Sequence, residues 1–185
     1  RQVSILFTDL RGFTSLSERM APEQMAARLT EYFDAMTTAI FARRGMVNDF
    51  IGDAILAVFG APLDDPEHAR HAILSALAMG ETLAGLNQRW SAEGLPLLRM
   101  GVGIHTGEVF AGNVGRAGKV KYAVVGDTVN LASRVEGLNK EMGTTMLVTE
   151  AAYRAAGLDL DVKDRGLVSV KGREEPVRVY EVIGL

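Results

Sequence analysis

Two aspartates four residues apart stand in an otherwise apolar run, Val47-Asn48-Asp49-Phe50-Ile51-Gly52-Asp53-Ala54-Ile55-Leu56-Ala57-Val58-Phe59. Runs of this composition become buried strands, where an unpaired carboxylate is expensive. Asp49 and Asp53 therefore need an explanation. A third carboxylate, Asp9, ends the apolar stretch Val3 to Leu10. It precedes a tight turn, Arg11-Gly12-Phe13-Thr14, that feeds a helix N-terminus whose free N–H groups suit phosphate oxygens. Asn130 and Arg134 lie four apart in Val125-Gly126-Asp127-Thr128-Val129-Asn130-Leu131-Ala132-Ser133-Arg134, so they share one helix face. Singly, each has a plainer role: Asp9 as a turn cap, Gly52-Asp53 as hairpin chemistry, Asn130 and Arg134 as a solvated face. The three motifs in this order are far more specific than any one of them.

The elements that must hold these residues follow from periodicity. Val3–Leu10 reads as a largely buried strand, with Thr14 or Ser15 capping a short helix. Pro22 opens a longer helix in which Met25, Leu29, Phe33, Met36 and Ile40 recur every three or four residues, through Arg44 and ending at Gly45. Met46–Ile51 and Ala54–Phe59 pair as a hairpin with Asp53 at its tip. Asp65 caps a helix with Pro66 in its first position, running towards Trp90. Strands are expected at Leu98–Thr106, Glu108–Val114 and Lys119–Val125, then a helix capped by Asp127 or Thr128 to about Lys140. A strand at Thr145–Thr149, a helix at Glu150–Ala156 and strands near Gly166–Val170 and Val177–Ile183 complete the chain. The fold class is α+β with one mixed, mainly antiparallel sheet, because the hairpins argue against a wholly parallel one.

Composition sets outer limits. The 185 residues are 48% hydrophobic and 23% charged, an ordinary single domain with ample core, expected to be excised from a longer protein. A net charge of −3 argues against a nucleic-acid surface. Cysteine is absent, so disulfides and thiolate chemistry are ruled out. No apolar run approaches the roughly 18 residues of a membrane span, so no direct membrane insertion is expected of this segment. The expected location is cytoplasmic, with anchoring of the parent protein left open.

Together the motifs resemble the catalytic domains of class III nucleotidyl cyclases, the adenylyl and guanylyl cyclase family. The matching segments are F-T-D-L-R-G-F-T at 7–14, F-I-G-D-A at 50–54, G-I-H-T-G-E-V at 103–109, V-G-D-T-V-N-L-A-S-R at 125–134 and V-K-G at 170–172. The resemblance implies a ferredoxin-like core extended to about seven strands and a homodimer whose active sites take residues from both chains. It implies attack of a nucleoside triphosphate's 3′-hydroxyl on its own α-phosphorus, with pyrophosphate leaving. By the same resemblance Asp9 and Asp53 hold two Mg²⁺ or Mn²⁺ ions, helped by the Leu10 carbonyl. Phe13 and Thr14 present backbone N–H groups to the β- and γ-phosphates, and Lys171 is a further phosphate contact. From the second subunit, Arg134 stabilises charge at the α-phosphate and Asn130 orients the ribose.

The base-reading positions depart from the family. Adenylyl cyclases typically carry Lys where Asp49 stands, with Asp or Thr where Ala123 stands; guanylyl cyclases usually carry Glu and Cys. Asp49 can accept from guanine N1–H and N2–H or from the adenine amino group, but it cannot donate to adenine N1. Ala123 offers no hydrogen bond. Single-domain sequences of this bacterial kind are mostly adenylyl cyclases, which favours ATP over GTP. A guanylyl or dual-specificity cyclase is the alternative, and an inactive dimerising or nucleotide-binding module is the alternative of another class. Intact Asp9, Asp53, Asn130 and Arg134 argue against the last. A diguanylate cyclase is excluded by the absence of its G-G-[DE]-E-F hairpin. Of the remaining candidates, His68 and His71 read as a solvated face, His105 as structural, and Gly115–Lys119 as a loop without P-loop spacing. Lys119 and Lys121 are placed to attract a triphosphate.

Overall fold

The computed structural model describes residues 1–185 throughout. Its centre is β1 (Gln2–Arg11), followed by α1 (Phe13–Ser17), α2 (Pro22–Phe41), β2 (Gly45–Ile51), β3 (Ala54–Phe59), α3 (His68–Ala92) and β4 (Arg99–Glu108). Then come β5 (Phe110–Arg116), β6 (Lys119–Val125), α4 (Asp127–Met142), β7 (Met146–Thr149), α5 (Glu150–Ala156), β8 (Asp161–Val168) and β9 (Val177–Gly184). Seven strands form one sheet in the order β2-β3-β1-β4-β7-β9-β8. Its first four members, with α2 and α3, reproduce the ferredoxin-like β-α-β-β-α-β arrangement. Only β4 and β7 run parallel; all other pairs are antiparallel.

Alternation along β1 sorts its side chains between two cores. Leu6 and Leu10 join the cluster beneath α2 and α3, which contribute Tyr32, Met36, Ile40, Ile73, Met79 and Trp90. Val3 and Ile5 point to the opposite face, with Leu56, Val58, Val124 and Ala132. There α4 lies close against β4. A Cβ at Gly103 would run into the backbone of Glu136 and Ala132, so glycine is what permits that approach. Asn139, fully buried on α4, is satisfied by donating to the Val102 carbonyl at 2.9 Å and accepting from Thr144 Oγ1 at 2.7 Å.

The expected sheet is present, but β5 and β6 leave it to form a separate two-stranded ribbon. The ribbon buries Val124 and leaves Phe110, Val114, Val120 and Val125 about half exposed or more. Several local expectations shift. Gly12, at φ 68°, is the N-cap of α1 rather than Thr14 or Ser15, because the turn needs a left-handed residue. The second helix stops at Phe41, and Arg44 takes positive φ before β2 begins at Gly45. Glu67 rather than Asp65 occupies the N-cap of α3; Asp65 Oδ1 accepts the Glu67 N–H at 3.0 Å. Gly126 caps α4, while Thr128 Oγ1 donates to the Glu108 carbonyl at 2.7 Å. β8 starts at Asp161, five residues earlier than its glycine suggests.

Candidate active site

Asp9 and Asp53 meet through register. β1 pairs with β3 as far as Thr8 opposite Ile55, so one further step sets Asp9 opposite Ala54, and Asp53 follows in the turn. On its other side Asp9 pairs with Gly101 of β4. Both aspartates are partly buried, and neither takes part in any ion pair of the chain. Burial, and then the neighbouring Asp9 charge, raises the Asp53 carboxyl above the ordinary range. Asp9 Oδ1 is buried without a hydrogen-bond partner. An orphaned carboxylate oxygen beside a second, repelled carboxylate is a donor set that suits a divalent cation. No three acidic, His or Cys side chains of the chain are arranged so that together they could hold a metal ion. Two carboxylates, with remaining oxygens from backbone, water and substrate phosphate, are what Mg²⁺ typically uses.

Behind Asp9 stands Glu136 of α4, a residue the motif reading did not single out. It is 4% exposed, and burial, reinforced by the Asp9 charge, pushes its carboxyl up to about 8. Arg11 Nη2 and Glu136 Oε2 both crowd the space above Gly101, where a Cβ would lie 2.6 Å from each. Arg11 also donates to the Thr144 carbonyl at 3.1 Å. The available signal was positional: Glu136 falls in the buried arc of α4 with Ala132, Val135 and Asn139.

Leu10 is buried beside Asp9, Phe13 packs against the core, and Thr14 is exposed in α1. Asn130 is exposed on α4, and Arg134 is half-buried. The Arg134 guanidinium lies 3.3 to 3.6 Å from the position a Cβ would take on Gly172, which brings the V-K-G turn and exposed Lys171 beside it. Arg134 and Glu136, two apart, point about 200° apart around the helix. Since Glu136 faces the Asp9 of its own chain, Arg134 faces away from it. The expected site residues of one chain thus fall into two separate groups, Asp9 with Asp53 and Asn130 with Arg134 and Lys171.

Asp49 and Ala123 lie on strands that approach each other where β2 meets the ribbon. Ala123 is opposite Gly112 in the ribbon, and Asp49 Oδ2 stands 3.5 Å from Lys121 Nζ. The histidines are structural. His68 Nδ1 is 2.8 Å from Ser4 Oγ and His71 bonds Asp65, so neither forms the solvated face expected. A groove of about 490 Å³, lined by residues such as Ala76, Gly80, Val182 and Leu185, contains none of the site residues.

His105 Nδ1 is 2.7 Å from Thr149 Oγ1. Burial, then the Arg173 charge, drops its imidazole to about 4, with Asp127 acting in the opposite direction. Unfolded histidine titrates near 6.5, so between those values the unfolded state binds more protons and stability is lost as pH falls. The full shift is worth on the order of 3 kcal/mol. His105→Gln should remove this loss. The urea-unfolding free energies of wild type and variant should therefore change relative to each other by about that much between pH 7 and pH 4, in the variant's favour. A difference that stays constant with pH would refute the assignment.

A sheet of this order, with paired acids at the β1 and β2–β3 ends and a polar α4 face, defines a nucleotidyl cyclase catalytic domain. Residues 1–184 match the adenylate and guanylate cyclase catalytic domain family, and the chain belongs to it. Adenylate cyclase 1 of Rhizobium meliloti (strain 1021) is 40% identical over 185 residues, all of this chain and 28% of that protein. The crystal structure of the guanylyl cyclase Cya2 superposes with a TM-score of 0.91 at 39% identity, covering 100% of this chain and 93% of that one. The adenylyl cyclase CyaB from P. aeruginosa gives 0.90 at 30% identity, covering 100% and 94%. The chain therefore spans little more than a quarter of the Rhizobium relative. No helix is long and apolar enough to cross a membrane.

Proposed function

We propose that this domain converts ATP to 3′,5′-cyclic AMP and pyrophosphate as a homodimer with two composite sites. The observation that carries the composite site is the opposed direction of Glu136 and Arg134 on α4, which separates the acids from Arg134 within one chain. The half-exposed apolar side chains of the ribbon, Phe110, Val114, Val120 and Val125, support a second copy as the covering partner. Asp9, Asp53 and the Leu10 carbonyl would hold two Mg²⁺ or Mn²⁺ ions. When bound, these lower the pKa of the 3′-hydroxyl and neutralise the triphosphate.

The remaining roles belong to the chain's own groups. Phe13 and Thr14 donate backbone N–H groups to the β- and γ-phosphates, and Lys171 adds a charge there. Arg134 of the second subunit balances negative charge growing at the α-phosphate as pyrophosphate departs, while Asn130 fixes the ribose for in-line attack. Likeness to the Rhizobium adenylate cyclase favours ATP. Likeness to the guanylyl cyclase Cya2, together with the acceptor-only Asp49, favours the second reading, a guanylyl or dual-specificity cyclase. Assaying cyclic product and pyrophosphate from ATP and GTP in parallel, with Mg²⁺ and with Mn²⁺, tests both. Faster cyclic AMP formation is expected; preferential cyclic GMP would establish the second reading, and no product from either would leave a nucleotide-binding or dimerising module.

A further inference from the structure

We propose that Asp127 and Arg173 are positioning residues, whose ion pair straps the turn at residues 170–173 along α4 and so holds Lys171 and Arg134 where they meet the triphosphate. The inference rests on the cyclase reading above, and names what sets the geometry on the phosphate side of its site.

The turn lies on one stripe of α4. Asp127 and Arg134, seven residues apart, stand within about 20° of each other around the helix and about 10 Å apart along it. Helical side chains lean back toward the N-terminus, so Arg134 reaches from the far end of that stripe toward Asp127. Three contacts fasten the turn over it. Val170 is buried in a cluster with Leu131 and Val135 of α4. Gly172 lies against the Arg134 guanidinium. Arg173 Nη1 donates to Asp127 Oδ2 at 2.5 Å. The Arg173 N–H also donates to the Val170 carbonyl at 3.1 Å, closing the turn on itself.

Charge explains why a pair is needed there. Arg134, Lys171 and Arg173 bring three cations to one corner of the chain. Like charges so placed push the turn off the helix unless a carboxylate intervenes. Glu174 and Glu175 follow Arg173 directly and line the same hollow of about 360 Å³ as Asp127. Neither takes part in an ion pair, and Arg173 pairs with Asp127 alone. Lys171 and Arg134 form no ion pair either, so both stay open to an anion. Asp127 thus engages the cation that closes the turn and leaves free the two that the ligand needs. Its place in the first turn of α4 favours a carboxylate.

The Arg173 and Asp127 side chains are 33% and 58% exposed, so their pair adds little to the stability of the whole fold. Its effect is local. Loosening the turn weakens Lys171 and Arg134 together, without touching the Asp9 and Asp53 side of the site or the base. Losses on ATP and GTP should therefore be equal. Removing either member of the pair should cost what removing both costs.

The test compares wild type with Asp127→Asn, Arg173→Gln and the double variant, in the complete chain and with folding checked by thermal melting. Each single variant should lower kcat/KM for ATP about fivefold, and the double variant should match them within about twofold. The KM for ATP should rise at least about twofold, which a mere fall in folded protein would not produce. Hydrogen exchange across residues 170–174 should quicken in both single variants. Arg173→Lys, which keeps a charge for Asp127, should recover part of the loss. Losses that multiply in the double variant would overturn the proposal, because the two residues would then act separately. An undiminished Asp127→Asn beside an impaired Arg173→Gln would overturn it too, by putting Arg173 on the nucleotide itself. So would unchanged exchange in the turn. If wild type forms no cyclic product, the cyclase reading fails instead. Exchange in the turn and calorimetric binding of inorganic tripolyphosphate, expected to weaken in both single variants, then decide the role of the pair alone.

Discussion

Asp9→Ala and Asp53→Ala should each abolish cyclisation, by on the order of 10³-fold or more, because in the proposed mechanism each removes a metal ligand worth several kcal/mol at the transition state. The folds should survive. Burial, and then the Asp9 charge, oppose ionisation of Asp53. A group with its folded pKa raised loses stability as pH rises through that range, so at pH 7 its removal relieves the fold. Asp53→Ala and the closer-shaped Asp53→Asn should therefore melt no lower than wild type. A second readout is independent of turnover. Mn²⁺ should raise the wild-type melting temperature by binding only the folded state, and should not do so in Asp9→Ala. Substantial residual turnover in either alanine variant, or an unchanged Mn²⁺ response, would remove the metal assignment.

How far this site could be read from the sequence depends on how local each determinant is. Asp9 sits at the end of a strand and Asp53 in a two-residue turn, and both placements follow from short-range patterns that the structure reproduces. The α4 face carrying Asn130 and Arg134 is equally local, since helical spacing alone defines it. Determinants that depend on a distant partner were not legible. The Asn48 bulge exists only relative to β3, and simple alternation cannot reveal that it turns Asp49 to the opposite side. The solvated reading of His68 failed for the same reason, as its partner Ser4 lies 64 residues away. Glu136 is intermediate: its place in a buried helical arc was visible, but that Asp9 would be its neighbour depended on β1 and β4 packing under α4. The departure of β5 and β6 into a ribbon likewise turns on which edges the other strands occupy, and hairpin pattern alone is the same in either case.

Mixing two inactive proteins should restore activity if the half-sites of separate chains meet. In a heterodimer of Asp53→Ala and Arg134→Ala chains, one site joins the two lesions. The other joins the intact Asp53 of the second chain to the intact Arg134 of the first. Random exchange of equal amounts makes half the dimers mixed, each with one whole site of two, so about one quarter of wild-type activity is expected. The expectation follows from the direction of α4: Glu136 faces the acids of its own chain, and Arg134, about 200° around the helix, lies instead beside Gly172. Differently tagged chains purified through both tags isolate the heterodimer, whose activity should then be about half that of wild type. The control pair, Asp9→Ala with Asp53→Ala, places a lesion in both sites of the heterodimer and should stay inactive. Recovery in the control would show that subunit exchange alone does not explain the effect. An inactive Asp53→Ala with Arg134→Ala heterodimer, demonstrably formed, would mean that Arg134 serves the acids of its own chain, and the composite site would have to be abandoned.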